Sequence, residues 1–248
     1  MAKYAAFDAQ LDIGTAQVET AVVVGTITGS GNATVTTTAS GLAGTPLDTV
    51  VAVLENDVPA TVATKMAAAM NLVSALTDMF SIVANGPNLI LTRIAAAAND
   101  GTMNIAYTNT TCTGLTPDAT SDATTAGVAK VETAGVTNIS GPGLALDTVD
   151  VTTHDQTVAW EEVVGTILRS GEVSLDIVYD PAGGTHDATT GLVYRYENKL
   201  YSYFDLIFRS TNNWTFFGYV TGFEPGMPVD GALTASVTVK ITGAPTLE

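Results

Sequence analysis

Two histidines occur in this 248-residue chain, and each is followed by an aspartate, giving His154-Asp155 and His186-Asp187. Repeated His-Asp pairs are the donor set of metal-dependent phosphohydrolases, which carry their ligands on helices. Both pairs here fall in loop-like stretches, a context that suits surface histidines. Cys112 is the one cysteine. It has no histidine within local reach to lower its pKa, so it reads as an idle thiol, and a lone thiol excludes an intrachain disulfide or a multi-cysteine metal site. Glu161 and Glu162 lie in a stretch with helical character, where neighbouring side chains diverge by about 100° and do not form a catalytic pair. The glycines of Gly25-Thr26-Ile27-Thr28-Gly29-Ser30-Gly31 lack the lysine and following hydroxyl of a phosphate loop and read as a flexible turn. No Asp-x-Asp-x-Asp-Gly calcium loop is present. Asn32-Ala33-Thr34, Asn109-Thr110-Thr111 and Asn138-Ile139-Ser140 match glycosylation sequons, but Met1 to Asp8 has no apolar signal core that would give them meaning. With no catalytic constellation, the chain reads as non-enzymatic, with no cofactor and no metal.

Composition narrows the class further. The chain has 9 basic and 25 acidic side chains and a formal charge of −16. Nine cations cannot neutralise a run of phosphates, so a nucleic-acid reader is excluded. Hydrophobic residues make up 46% of the chain, which excludes disorder as its main state. No apolar run reaches the 18 to 20 residues of a membrane span, and no membrane partner is expected. The single thiol fits folding in a reducing cytoplasm. Short β-branched runs broken by glycine predict a mainly β protein.

Aromatic residues divide the chain into two compositional regions. Residues 22–128 contain only Phe80 and Tyr107, whereas 129–248 contain thirteen aromatics. Ala16-Gln17-Val18-Glu19-Thr20-Ala21 recurs as Ala129-Lys130-Val131-Glu132-Thr133-Ala134 with one difference. The repeat fits a module inserted between two copies of its insertion point, or a coincidence in an Ala-, Val- and Thr-rich chain. The first reading makes 1–21 and 129–248 one discontinuous domain and 22–128 a small inserted α+β surface domain. In the insert, Val22–Val24, Ala33–Thr38, Thr49–Leu54, Phe80–Val83, Leu89–Leu91 and Met103–Tyr107 read as strands. Asn85-Gly86-Pro87-Asn88 reads as a hairpin turn. Asp57-Val58-Pro59 reads as a capped helix start. The apolar spacing Val62, Met66, Ala69, Met70, Val73, Leu76 predicts one helix from Ala60 to Leu76. Residues 108–127 lack periodicity and read as a linker.

The outer domain is mostly strands. Val173, Leu175, Ile177 and Tyr179 alternate with Glu172, Ser174 and Asp176, and Leu233, Ala235, Val237, Val239 and Ile241 alternate with Thr234, Ser236, Thr238 and Lys240. Phe204–Phe208 and Trp214–Val220 flank a polar turn and predict a hairpin. One helix is expected near Val158–Leu168, stopped at Gly171. The segment 180–198, with Asp180, His186, Asp187, Tyr194 and Tyr196, reads as a mobile loop or arm.

The segments Val136-Thr137-Asn138-Ile139-Ser140-Gly141-Pro142-Gly143, Asp147 to Asp155, Trp160-Glu161-Glu162, Gly171-Glu172-Val173, Tyr179-Asp180-Pro181, Gly218 to Glu224, Pro228-Val229-Asp230-Gly231 and Ile241 to Pro245 come in an order and spacing that resembles the major tail tube proteins of long, flexible-tailed bacteriophages. The resemblance covers residues 1–21 and 130–248. It implies a tail-tube-type β-sandwich or barrel with one flanking helix. It also implies assembly into six-membered rings that stack into a tube passing the genome, within a virion tail built in the host cytoplasm. The implied partners are further copies of the chain, tail tip, tape measure and tail terminator proteins, with DNA crossing the lumen unbound. On that implication, Glu172, Ser174, Asp176, Thr234, Ser236 and Thr238 are candidates for the lumen, or form an ordinary solvated face. The 180–198 loop reaches a neighbouring subunit or ring, or packs on its own domain. The insert is expected to project outward. A decoration or baseplate hub protein, and a carbohydrate-binding adhesin acting through the insert, are the alternatives.

Overall fold

The computed structural model describes residues 9–153, 160–208 and 212–247. The fold is mainly β. In chain order the elements are β1 (Gln10–Thr15), β2 (Val18–Val22), β3 (Gly31–Thr38), β4 (Leu47–Val53), α1 (Pro59–Met70), α2 (Ser74–Thr77), β5 (Phe80–Asn85), β6 (Asn88–Arg93), β7 (Asn104–Asn109) and β8 (Asp122–Thr125). They continue with β9 (Val128–Glu132), β10 (Val136–Ser140), β11 (Ala145–Asp150), β12 (Val163–Arg169), β13 (Glu172–Val178), α3 (Leu192–Glu197), β14 (Ser202–Phe208), β15 (Asn212–Gly226) and β16 (Thr234–Leu247). The chain divides into two compact units, one of residues 1–13 and 131–248 and one of residues 14–130.

The inner unit, 14–130, is α+β, with a four-stranded sheet in the order β5-β6-β2-β8 and a three-stranded sheet in the order β4-β3-β7. Helix α1 buries Val62, Met66 and Met70, the spacing read from sequence, among Val35, Val51, Phe80, Leu89, Leu91 and Ile105. Pro59 occupies the first turn as expected, where its missing N–H costs nothing. Asp57 does not cap the helix. Its carboxylate instead accepts from the Leu54 amide at 2.7 Å and from Lys65 Nζ at 2.5 Å. The helix ends at Met70, and Leu76 reaches the core from the separate turn α2. The expected linker 108–127 is stitched in. Thr113 bridges Gly29, Asp118 bridges Tyr107, and β8 pairs with β2. Those pairings depend on long-range partners that local composition does not reveal.

The repeated hexapeptides occupy unlike positions. Val18 to Ala21 lie in β2 and Ala129 to Glu132 in β9, strands of different sheets. Glu19 is buried, accepting from Gln17 Nε2 at 3.1 Å and Ser121 Oγ at 3.0 Å, whereas Glu132 is exposed. The repeat therefore does not mark two equivalent strands.

A seven-stranded sheet in the order β10-β13-β16-β15-β14-β1-β9 lies in the outer unit except at the end of β1 and the start of β9, where the chain passes between the units, and the outer unit also holds a separate two-stranded ribbon, β11-β12. The alternation read from sequence fixes its faces. Val173, Leu175 and Ile177 on β13 and Ala235, Val237, Val239 and Ile241 on β16 turn into one core, joined by Phe204, Leu206, Phe216 and Leu192 of α3. The expected helix near Val158–Leu168 is instead irregular from Trp160 to Glu162 and strand β12 from Val163 onward. Val163, Val164, Thr166 and Ile167 are β-branched and stiff at χ1, which favours extended backbone once a partner strand pairs with them.

Candidate functional site

Three features of the outer unit could carry function. The first is the exposed face of β10, β13, β16 and β15. On β13, and on β16 as far as Ile241, every second residue faces away from the core, so the register brings the sequence-predicted residues together in rows. Asp176 pairs with Ser236, Ser174 with Thr238, Glu172 with Lys240 and Val178 with Thr234. The row extends sideways to Asn138 on β10 and Glu224 on β15. Ser236 Oγ donates to Asp176 Oδ1 at 2.7 Å and Asn138 Nδ2 to Asp176 Oδ2 at 3.3 Å. Those donors hold the Asp176 carboxyl below the ordinary aspartate range, with the Ser236 bond contributing most. Lys240 Nζ lies 3.1 Å from Glu172 Oε1. The face therefore holds three carboxylates, Glu172, Asp176 and Glu224, against one ammonium. All six sequence-predicted residues lie on it. Asn138, Glu224 and Lys240 complete it: the alternation along β16 already puts Lys240 on this face, whereas Asn138 and Glu224 join it only through the strand register, which no local pattern supplies.

The second feature is the ribbon. Among the described residues β11 and β12 pair only with each other, from Ala145–Arg169 to Asp150–Val163. Leu146, Val149, Val163, Val164, Ile167 and Leu168 all stand exposed, Leu168 at 82% and Ile167 at 59%. Adjacent strand residues point to opposite faces, so Val163 with Val164, and Ile167 with Leu168, present apolar surface on both sides. Arg169 donates from Nε and Nη2 to Asp147, pinning the open end of the ribbon. Trp160, just before β12, is 80% exposed. A two-stranded ribbon is marginal by itself in water, and exposed apolar surface on this scale marks an interaction site.

The third feature is the segment 180–198. It is a chain of turns ending in α3. His186 is not at the surface but buried. Its Nδ1 accepts the Asp180 amide at 3.1 Å, which puts the ring proton on Nε2, and Nε2 donates to the Ala134 carbonyl at 2.8 Å. Asp187 accepts from Thr189 Oγ1 and from the amides of Thr189, Thr190 and Gly191, which depresses its carboxyl strongly, the Thr189 hydroxyl contributing most. Tyr194 is half-buried, while Tyr196 and Asp180 are exposed. These bonds fasten the segment to its own unit. The His154-Asp155 pair lies outside the described residues. Cys112 is buried, with its Sγ 3.2 Å from Asn109 Oδ1. Among the described residues no three His, Cys, Asp or Glu side chains converge as metal ligands, and no helix is long and apolar enough to cross a membrane.

No protein-family model matches the sequence, and no curated protein matches it. Among solved structures, a chain from the virion of a native gene transfer agent particle is 18% identical, with a TM-score of 0.40 over 48% of this chain and 88% of that one. A chain from the tail of the empty gene transfer agent particle, in C6 symmetry, is 19% identical, with a TM-score of 0.39 over 48% and 86%. A chain from the six-fold symmetrised baseplate of the anti-feeding prophage is 9% identical, with a TM-score of 0.38 over 48% and 83%.

Proposed function

We propose that this chain is a structural subunit of a bacteriophage-type virion tail, specifically a tail tube subunit that forms six-membered rings stacking into a DNA-conducting tube. One observation carries the self-assembly at the centre of this reading: the β11-β12 ribbon exposes apolar side chains on both faces and, among the described residues, hydrogen-bonds to no third strand. Such a ribbon is completed by another surface, and a repeating assembly provides that surface in every copy. The ordered segments from Val136 to Pro245 that resemble tail tube proteins supply the particular assembly. The polar face bearing Glu172, Asp176 and Glu224 suits a lumen, because fixed negative charge repels phosphate and keeps passing DNA from adsorbing. The role is structural rather than catalytic. The expected partners are other copies and the tail tip, tape measure and terminator proteins, assembled in the host cytoplasm. An adhesin role for the inner unit finds no exposed aromatic platform there, since its two aromatics, Phe80 and Tyr107, are each 1% exposed.

Negative-stain electron microscopy of the purified chain at rising concentration tests the reading. Rings or striated tubes with a hole wide enough for duplex DNA are the expected result. Monomers at every concentration, even after seeding with tail-tip complexes, would refute it and favour a decoration role on a lattice built by other proteins.

A further inference from the structure

The outer unit contains an apolar cavity and, at the far end of the same hairpin, an apolar projection of complementary character. The cavity, about 630 Å³, is lined by Leu144, Leu146, Leu168, Trp214, Ala244 and Pro245, with Arg169 as its only charged wall. The projection is the β15-β16 turn, where Met227 is 78% and Val229 fully exposed, flanking Pro228 and followed by Asp230. The β15-β16 pairing runs from Trp214–Leu247 beside the cavity to Gly226–Thr234 at the turn, antiparallel throughout, with bulges between Thr215 and Phe217 and between Val220 and Gly222. Twelve residues of strand at about 3.3 Å each separate the two ends by up to about 40 Å. A chain cannot therefore fill its own cavity with its own turn.

We propose that the Met227-Pro228-Val229 turn of one copy inserts into the cavity of the next, a head-to-tail contact that repeats without using up either surface. The inference rests on the self-assembly reading above and adds the surfaces that perform it. The occupant follows from the chemistry of both ends. Three consecutive apolar side chains meet an apolar socket, and Asp230 arrives beside the one cation on the wall. Arg169 turns Nε and Nη2 toward Asp147, and among the described residues no hydrogen bond engages its Nη1, which leaves that group for an incoming carboxylate. A small-molecule site would present several converging polar groups free to bind, whereas here the Ser170 hydroxyl already donates to the Ile241 carbonyl and the Arg169 guanidinium already engages Asp147 on one side. Contacts of this heterologous kind close into rings or propagate as stacks.

Two full-length variants test the contact, Val229→Lys at the turn and Ala244→Trp at the socket. Both positions are exposed, so each variant is expected to melt with wild type in dilute solution. Sedimentation and electron microscopy of each alone should show no long assemblies at tenfold the wild-type threshold concentration. An equimolar mixture should give pairs of the smallest assembling unit that do not grow, because each pair uses the one intact turn and the one intact socket. Either variant assembling at the wild-type threshold would overturn the proposal while leaving self-assembly standing. So would a mixture as inert as its parts, or native mass spectrometry finding a small apolar molecule held in the cavity. Wild type that never assembles would remove the self-assembly reading and this contact with it.

Discussion

Ile167 gives the most direct test of whether the ribbon waits for a partner. Replacing Ile167 by Ala removes three carbons, worth about 2.4 kcal/mol if fully buried at about 0.8 kcal/mol per carbon. The residue is 59% exposed in the free chain, so about 1.4 kcal/mol of that burial is still to be gained on assembly. A change of that size weakens each contact about tenfold. The remainder, about 1 kcal/mol, is an upper limit on the loss of stability in the free chain. The assay is paired: threshold concentration for assembly by light scattering, and unfolding of the dilute chain by circular dichroism. The expected outcome is a tenfold higher threshold with a small change in unfolding. An unchanged threshold, or a loss of free-chain stability well above 1 kcal/mol, would refute the reasoning, since the side chain would then have no partner or would already be buried.

Three further outcomes follow. Met66→Ala, at a fully buried position of the inner unit, should cost that unit about 2–5 kcal/mol, read as the earlier of two unfolding steps in denaturant. Gly171→Ala should destabilise the outer unit by about 1–3 kcal/mol, measured in the same way, because φ is +68° there and a Cβ would stand 2.1 Å from the Gly143 carbonyl oxygen. For Asp176 the folded pKa lies below the unfolded 3.8, so its stabilisation is complete above about pH 4 and is lost as pH falls through the folded value. Carboxyl titration by NMR should find that lower pKa, Ser236→Ala should raise it, and Asp176→Asn should remove this contribution to the acid dependence of unfolding.

What the sequence made legible was periodicity. The two-residue alternation of Val173, Leu175 and Ile177, and of Ala235 to Ile241, placed the core face of the sheet. It therefore also placed the opposite face, where Asp176 meets Ser236 and Glu172 meets Lys240. The spacing of Val62, Met66 and Met70 placed α1. Elements whose reason lies in a distant partner were not legible. Residues 163–169 follow good helix formers in sequence, yet they pair with β11, from Asp150–Val163 out to Ala145–Arg169. The short helix α3 hides in a run where Asp187 bonds the amides of three successive residues. His186 looks like a surface residue until the Asp180 amide and Ala134 carbonyl close on both sides of its ring.

Strands β1 and β9 are neighbours in the seven-stranded sheet, and the whole inner unit leaves and returns through them. Neighbouring strands lie about 5 Å apart, so the folded inner unit delivers its two ends almost touching. Unfolded, its 117 residues, from 14 to 130, would become a loop whose closure costs the outer sheet about 4 kcal/mol of chain entropy. The inner unit therefore acts on its host as a removable cross-link. Heat, a protease nick or a core mutation in 14–130 loosens the sheet that 131–248 must present to neighbouring copies. Conversely, any foreign domain with ends equally close could be exchanged for it at little cost to that sheet.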